Sequence, residues 1–156
     1  MNLIEMEHLM TRTRIQILPM SNKKEFKNWT PERLQDEFFG DRMNEREEIT
    51  EKIFYNYEGT KIALPDGEKA LILFQFESSI VACGVLERVI EDEYEKKGRY
   101  FFSEGTIKTF APISEEKIKK IYNTFKKFGN VKTILDSGKL DEEKLKKLWI
   151  LMEKRK

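Results

Sequence analysis

Two apolar runs separated by a short polar break constrain the fold of this chain most strongly. They are Ala70–Phe76 (ALILFQF) and Ile80–Val89 (IVACGVLERV), and Glu77-Ser78-Ser79 lies between them. Apolar runs of this length, joined by so short a turn, are typical of a β-hairpin. Further on, the segment RYFFSEGTIKTFAP begins with an aromatic run, breaks at a Glu-Gly pair and then alternates, so we expect a strand that stops at Pro112. The sequence therefore predicts a β meander with its centre in these segments.

Helix signals precede this meander. Thr30 can cap a helix whose first position is Pro31, and we expect that helix to run to about Phe39, with Gly40 ending it. A second, highly charged helix is predicted over Asp41–Phe54. Two shorter extended pieces are also expected, namely Arg14–Leu18, bounded by Pro19, and Thr60–Leu64.

Helix signals also follow the meander. Ser114 precedes two glutamates, and apolar residues then recur at helical spacing until Gly129. Asp141 caps a last predicted helix with Leu145, Leu148, Trp149 and Met152 on one side. The order of the predicted elements, helices followed by a β meander and then helices, indicates an α+β fold with a strongly curved or barrel-like sheet of five or six strands, flanked by helices. We expect one domain over residues 1–156, with a mobile start at residues 1–12, a barrel core at about 60–112 and a helical part at 114–156.

Composition narrows the function classes. The chain has 156 residues, 37% of them charged, and we see no apolar run long enough to cross a membrane. No signal peptide is expected, and the single cysteine suits a reducing cytoplasm. Cys83 lies among small apolar residues, so we expect it to be buried and unreactive. With one histidine, His8, and one cysteine far from it, the sequence predicts no metal site, no catalytic residue and no cofactor, although a Mg²⁺ site made of carboxylates alone stays open.

The formal net charge of +1 hides an asymmetry between the two halves. Residues 1–78 carry 11 basic and 15 acidic side chains, whereas residues 79–156 carry 18 and 13. Between Lys117 and Lys132 there are six lysines and no acid. Such a field can steer an anionic partner, but we favour the alternative that these lysines line the solvated face of a helix.

Aromatic residues stand next to cations on the predicted strands. Nucleic-acid readers use such pairs, because rings stack on bases and cations contact phosphates. The candidate nucleic-acid-binding residues are Trp29, Lys61, Arg99, Tyr100 and Lys108. The alternative is that most rings are core, which we favour for Phe74, Phe76, Phe101 and Phe125.

The segment Ala70–Ala111 resembles the central barrel of PUA-like domains, the group that includes EVE, ASCH and YTH domains. The resemblance lies in the strand ALILFQF, the tight turn, and the small residues Ala82-Cys83-Gly84 before an outgoing strand. The segment ISEEKIKKIYNTFKKFGNVKTILD is similar to the tail of PUA-like modules fused to restriction and other defence proteins. This resemblance implies nucleic-acid binding, often of a modified base held in an aromatic pocket. The chain departs from a typical EVE domain because the charged segment Thr30–Phe54 occupies the region of its pocket elements.

Three functions remain open from the sequence. The first is a non-enzymatic PUA-like module that binds DNA or RNA, with reading of a modified base as its finer form. The second is a protein–protein interaction or regulatory domain that acts through the charged helices Thr30–Phe54 and Asp141–Lys156. The third is a metal-dependent nuclease or nucleotide-processing enzyme, for which Pro65-Asp66 and Glu95-Lys96-Lys97 resemble the PD…(D/E)xK pattern.

Overall fold

A single long strand, β4, connects two halves of a mixed sheet. The computed structural model describes residues 14–50, 52–58, 69–92, 94, 97–129 and 133–155. Within these ranges the strands are β1 (Arg14–Met20), β2 (Ile53–Glu58), β3 (Ala70–Phe76), β4 (Ser79–Asp92), β5 (Lys97–Phe102), β6 (Lys108–Ser114) and β7 (Thr133–Ser137). The helices are α1, which passes without a break through Pro31–Arg33, Leu34–Arg42 and Met43–Thr50, then α2 (Glu115–Ile121) and α3 (Glu142–Met152).

The strand order is β2-β5-β4-β3-β1-β7, and β6 also pairs with β4. All pairs are antiparallel except β1 with β3, which is parallel. The 14-residue β4 contributes its first part to the β3 and β6 pairs and its second part to β5, with a register shift between Leu86 and Arg88 where it changes partner. Such a bulge bends a strand. The predicted α+β class with a curved, helix-flanked sheet is confirmed, but the described sheet has seven strands rather than five or six.

Side chains of the central strands alternate between two cores. On β3, Ile72, Phe74 and Phe76 join the core beneath α1, which we call the α1 core, together with Phe38 of that helix. Leu71 and Leu73 point the other way into a C-terminal core formed with α2 and α3. Every residue of β3 is buried because both faces of this strand are covered.

All three helix starts agree with the sequence. Thr30 accepts a hydrogen bond from the Arg33 N–H at 3.1 Å, and Pro31 is the first helical residue. Ser114 caps α2, and Asp141 accepts bonds from two backbone N–H groups of α3. A side-chain oxygen at this position satisfies N–H groups that have no partner inside the helix. Cys83 is buried, as predicted.

The predicted end of the first helix is wrong. Gly40 lies inside α1, where Leu34–Arg42 is a π-helix, and the helix continues to Thr50. The second predicted helix also ends early, since Phe54 belongs to β2. The sequence predicts a helix end at Gly40 because glycine often adopts the left-handed conformation that follows the last turn of a helix. In the structure, the packing of Phe38 and Phe39 on the sheet keeps the chain helical through Gly40.

Two strands also extend beyond the ends expected from the sequence. β6 runs through Pro112 to Ser114, because its single strand partner is β4 and the proline lies in an irregular part of that pairing. Strand β4 continues through the acidic residues after Leu86 as far as Asp92.

The C-terminal part contains a strand that the sequence did not predict. The helix after Ser114 ends at Ile121, and Thr133–Ser137 forms β7, antiparallel to β1. Several predicted features lie outside the described residues, namely residues 1–12, Thr60–Leu64 with Lys61, Pro65-Asp66, and Glu95-Lys96.

Candidate nucleic-acid interface

The outer face of the β2–β5–β4 ribbon carries cations and rings. Along β5, Tyr100 and Phe102 face the α1 core, so Arg99 and Phe101 face outward. The register places Phe54 of β2 beside Phe101, and Ile90 of β4 beside Arg99. Directly opposed residues of antiparallel strands share a face. Aromatic, apolar and basic side chains are therefore combined on one outward-facing ribbon.

Guanidinium groups and aromatic rings alternate from this ribbon onto α1. Arg99 and Arg46 lie over the Phe54 ring, with their Cζ atoms 4.5 and 4.7 Å from its centroid. Arg46 also lies 5.3 Å from the Phe38 ring, which Arg42 approaches to 5.5 Å. We call this series the arginine–aromatic ladder; its members are Trp29, Arg33, Phe38, Arg42, Arg46, Phe54 and Arg99.

The other end of the ladder is Trp29. Arg33 lies 4.0 Å and Arg42 5.8 Å from the centroid of its ring. The edge-to-face contact with Phe26, at 5.2 Å, anchors this half-buried ring on the α1 core. Arginine stacks on rings because its planar cation is attracted by their electron-rich faces, and stacking leaves its N–H groups available for anions.

Arg46 ties the helix to the ribbon. Its Nη1 donates a hydrogen bond of 2.8 Å to the backbone carbonyl of Phe54, in the strand at one end of the described sheet order. Partial burial lowers the pKa of this guanidinium, and the positive charges of Arg42 and Arg99 lower it further. Three arginines are therefore close enough for their charges to repel one another.

Acidic partners are distributed unevenly along the ladder. Arg33 forms an ion pair with Glu37 at 2.8 Å, and Arg42 forms one with Glu25. Within the described residues, neither Arg46 nor Arg99 forms an ion pair. The positive charge of the ladder is therefore least compensated at its Phe54 end.

The structure brings two of the predicted site residues, Trp29 and Arg99, onto this one surface. Tyr100 is not there: it has 0% exposure and stacks on Tyr55 inside the α1 core, so it offers no surface to a base. Lys108 is also elsewhere, because its ammonium lies 4.8 Å from the Trp149 ring against the C-terminal core. Successive side chains of β5 point to opposite faces of the sheet, so Phe101 faces outward and Tyr100 faces the core. Lys61 lies outside the described residues.

A cleft of about 720 Å³ opens near the ribbon. It is lined by Glu47, Lys52, Ile53, Glu87, Phe102, Ser103 and Glu104. Three carboxylates and one ring do not form an aromatic pocket of the kind that the resemblance to PUA-like domains implies. No group of three or more potential metal ligands occurs in the described part of the chain.

The remaining findings concern the helices. Most apolar residues of α1 and α3, the helices considered for a protein partner, are buried in the two cores. Ile49 and Ile150 stay exposed. No helix among the described residues is long and apolar enough to span a membrane.

Comparison with known proteins gives likeness in structure only. No protein-family model matches the chain, and no curated protein sequence does. A crystal structure of ASCH from Zymomonas mobilis matches with a TM-score of 0.47 and 11% identity, covering 92% of this chain and 99% of that one. A point mutant of the same protein matches at 0.46 and 11%, covering 90% of this chain.

Sequence reasoning missed most of the ladder. Arg33, Arg42 and Arg46 lie in the charged segment Thr30–Phe54, for which the sequence suggested a protein partner rather than nucleic acid, and Phe54 was expected in a helix. A signal was present in the four-residue spacing of Phe38 with Arg42 and of Arg42 with Arg46. Residues four apart are neighbours on a helix surface, so each such pair predicts a contact within α1.

Proposed function

We propose that this chain is a nucleic-acid-binding module and that the arginine–aromatic ladder with the adjoining ribbon face is its binding surface. One observation carries the proposal: Arg46 and Arg99 lie on one ring, Phe54, and neither has a carboxylate partner among the described residues. Two cations that are held close together and form no ion pair with a described residue favour a polyanion with regularly spaced charges.

The rings add a second kind of contact. Phe101 is half-buried on the outer face, at 6.0 Å from the Phe54 centroid, and Trp29 is half-buried at the other end. Bases stack on aromatic side chains and on arginine planes, while phosphates take the guanidinium N–H groups. Phosphodiester chains present both partners at alternating positions, which a simple anion or an acidic peptide does not.

The test measures binding of fluorescent single-stranded and duplex oligonucleotides, DNA and RNA, at salt concentrations from about 50 to 200 mM. We expect binding that weakens as salt rises. Arg46→Gln and Arg99→Gln should each reduce the slope of log affinity against log salt by about one unit. Lys146→Gln is the matched control, because it removes one exposed cation from α3, on the far side of the sheet.

The absence of binding to any oligonucleotide at low salt would refute the proposal. Equal slopes for the parent and both arginine variants would place the surface elsewhere. Reading of a modified base is the finer form of the proposal, and it predicts a difference in affinity between oligonucleotides that differ by one methyl group on a base.

A further inference from the structure

At the Trp29 end of the ladder, the π-helix within α1 places two arginines beside one ring. Arg33 and Arg42 are nine residues apart. At 100° per residue in an α-helix, residues nine apart point in opposite directions. The wider turn of a π-helix, about 4.4 residues, brings them to within about 20° of each other. Both guanidinium groups can then reach one indole ring, as they do here.

The π-helix is fixed by internal contacts. The Met43 N–H contacts the carbonyl of Phe38, five residues earlier, in the pattern of a π-helix. Buried Gln35 donates to the carbonyls of Val81 on β4 and Phe110 on β6, at 2.9 and 2.7 Å. These bonds hold the wide turn against two strands, so the alignment of Arg33 with Arg42 is built into the fold.

Both arginines of this pair are engaged by carboxylates that can be displaced. The side chains of Glu37 and Glu25 are 51% and 55% exposed, and those of Arg33 and Arg42 are 49% and 34% exposed. Exposed ion pairs contribute little to stability, because water and salt screen them. A phosphate can form two parallel hydrogen bonds with a guanidinium and compete with a single carboxylate for it.

We infer that Trp29, Arg33 and Arg42 form a second phosphate subsite for the same nucleic-acid strand, and that Glu25 and Glu37 occupy it as exchangeable phosphate substitutes. This inference rests on the proposed function. The Phe54 end provides the first contacts, and the Trp29 end adds its contacts when the two carboxylates leave. The two glutamates therefore limit the affinity and the length of strand bound.

The test compares two double variants that change the net charge equally. Glu25→Gln with Glu37→Gln frees the subsite, whereas Glu32→Gln with Glu45→Gln removes two exposed carboxylates that form no ion pair with the ladder within the described residues. All four positions are exposed, so both variants should fold, and thermal unfolding checks this. The probe is a single-stranded oligonucleotide of about 12 nucleotides, titrated at several salt concentrations.

We expect the first variant to bind about tenfold more tightly at about 50 mM salt, with a slope steeper by about 0.7 for each phosphate gained. The control should shift affinity slightly and leave the slope unchanged. Adding Arg33→Gln to the first variant should remove part of the gain, whereas adding Lys146→Gln, a cation of α3 outside the ladder, should not. If both double variants change affinity and slope alike, net charge is the cause and the inference is wrong, while the proposed function stands. If no variant and not even the parent binds, the proposed function fails and the inference with it.

Discussion

Arg46 and Arg99 lie over the same ring, that of Phe54, although one belongs to α1 and the other to β5. The helix reaches this ring at the β2 end of the sheet order, where the Arg46 guanidinium also binds the Phe54 carbonyl. A side-chain contact and a backbone contact thus join helix and ribbon at the same residue, and the resulting surface is positive and aromatic.

If bases stack on this surface, Phe101 is the ring best placed for them. We expect Phe101→Leu to weaken binding of single-stranded oligonucleotides by about 1–3 kcal/mol without changing the salt slope, because stacking is lost and phosphate contacts are kept. Ile134→Ala is the matched control, since Ile134 is an exposed apolar residue of β7. A changed slope, or equal effects of both substitutions, would contradict a stacking role.

Gln35 should contribute strongly to stability. Replacing it by Leu leaves the carbonyls of Val81 and Phe110 without the side-chain donor that now binds both. Each buried group that loses its partner costs about 1–3 kcal/mol, so we expect a loss of at least about 2 kcal/mol in the free energy of unfolding, measured with urea. Gln35→Met removes the same donor with an unbranched side chain and should give a similar loss. A loss below about 0.5 kcal/mol in both would show that water replaces the amide.

Gly84 lies where β4 passes under two side chains. A Cβ added here would stand 2.7 Å from Ile107 Cδ1 and 2.8 Å from Phe102 Cδ1. We expect Gly84→Ala to lower the free energy of unfolding by about 1–3 kcal/mol, because both contacts are shorter than van der Waals separation. Ile107→Val in the same chain should recover part of this loss by removing the nearer atom. Gly129→Ala meets nothing within 4 Å and is the neutral control. Equal stabilities of the two alanine variants would show that the neighbours yield at little cost.

Tyr55 should make stability fall at high pH. Burial raises the pKa of its hydroxyl from 10.0 to about 12, although the charge of Arg46 opposes the shift. The unfolded chain loses this proton from about pH 10 and the folded chain only near pH 12, so stability is retained below pH 10 and declines as the pH rises between these values. The decline should reach about 2–3 kcal/mol.

Tyr55→Phe should remove this contribution, and urea unfolding at pH 8, 10 and 11 measures it by comparison with the parent. Tyr122, whose pKa burial also raises, keeps its own contribution in both chains. The same pH dependence in parent and variant would show that Tyr55 does not titrate differently on folding.

The sequence by itself determined the features that depend on neighbouring residues. The hairpin at Ala70–Val89 follows from apolar runs and a short turn, and the caps at Thr30, Ser114 and Asp141 follow from side-chain oxygens placed before helical patterns. The burial of Cys83 follows from its small apolar neighbours. Each of these depends on contacts within a few residues, which the order of the side chains determines.

Tertiary structure decided the rest. Only packing on the sheet could carry α1 through Gly40 as a π-helix, and only pairing with β1 makes Thr133–Ser137 a strand. The outward direction of Phe101 rather than Tyr100 depends on which face of β5 the α1 core covers, because alternation fixes which residues share a face and not which face meets solvent. The ladder likewise joins residues from Trp29 to Arg99, and contacts over such distances in sequence exist only once the helix and the ribbon pack together.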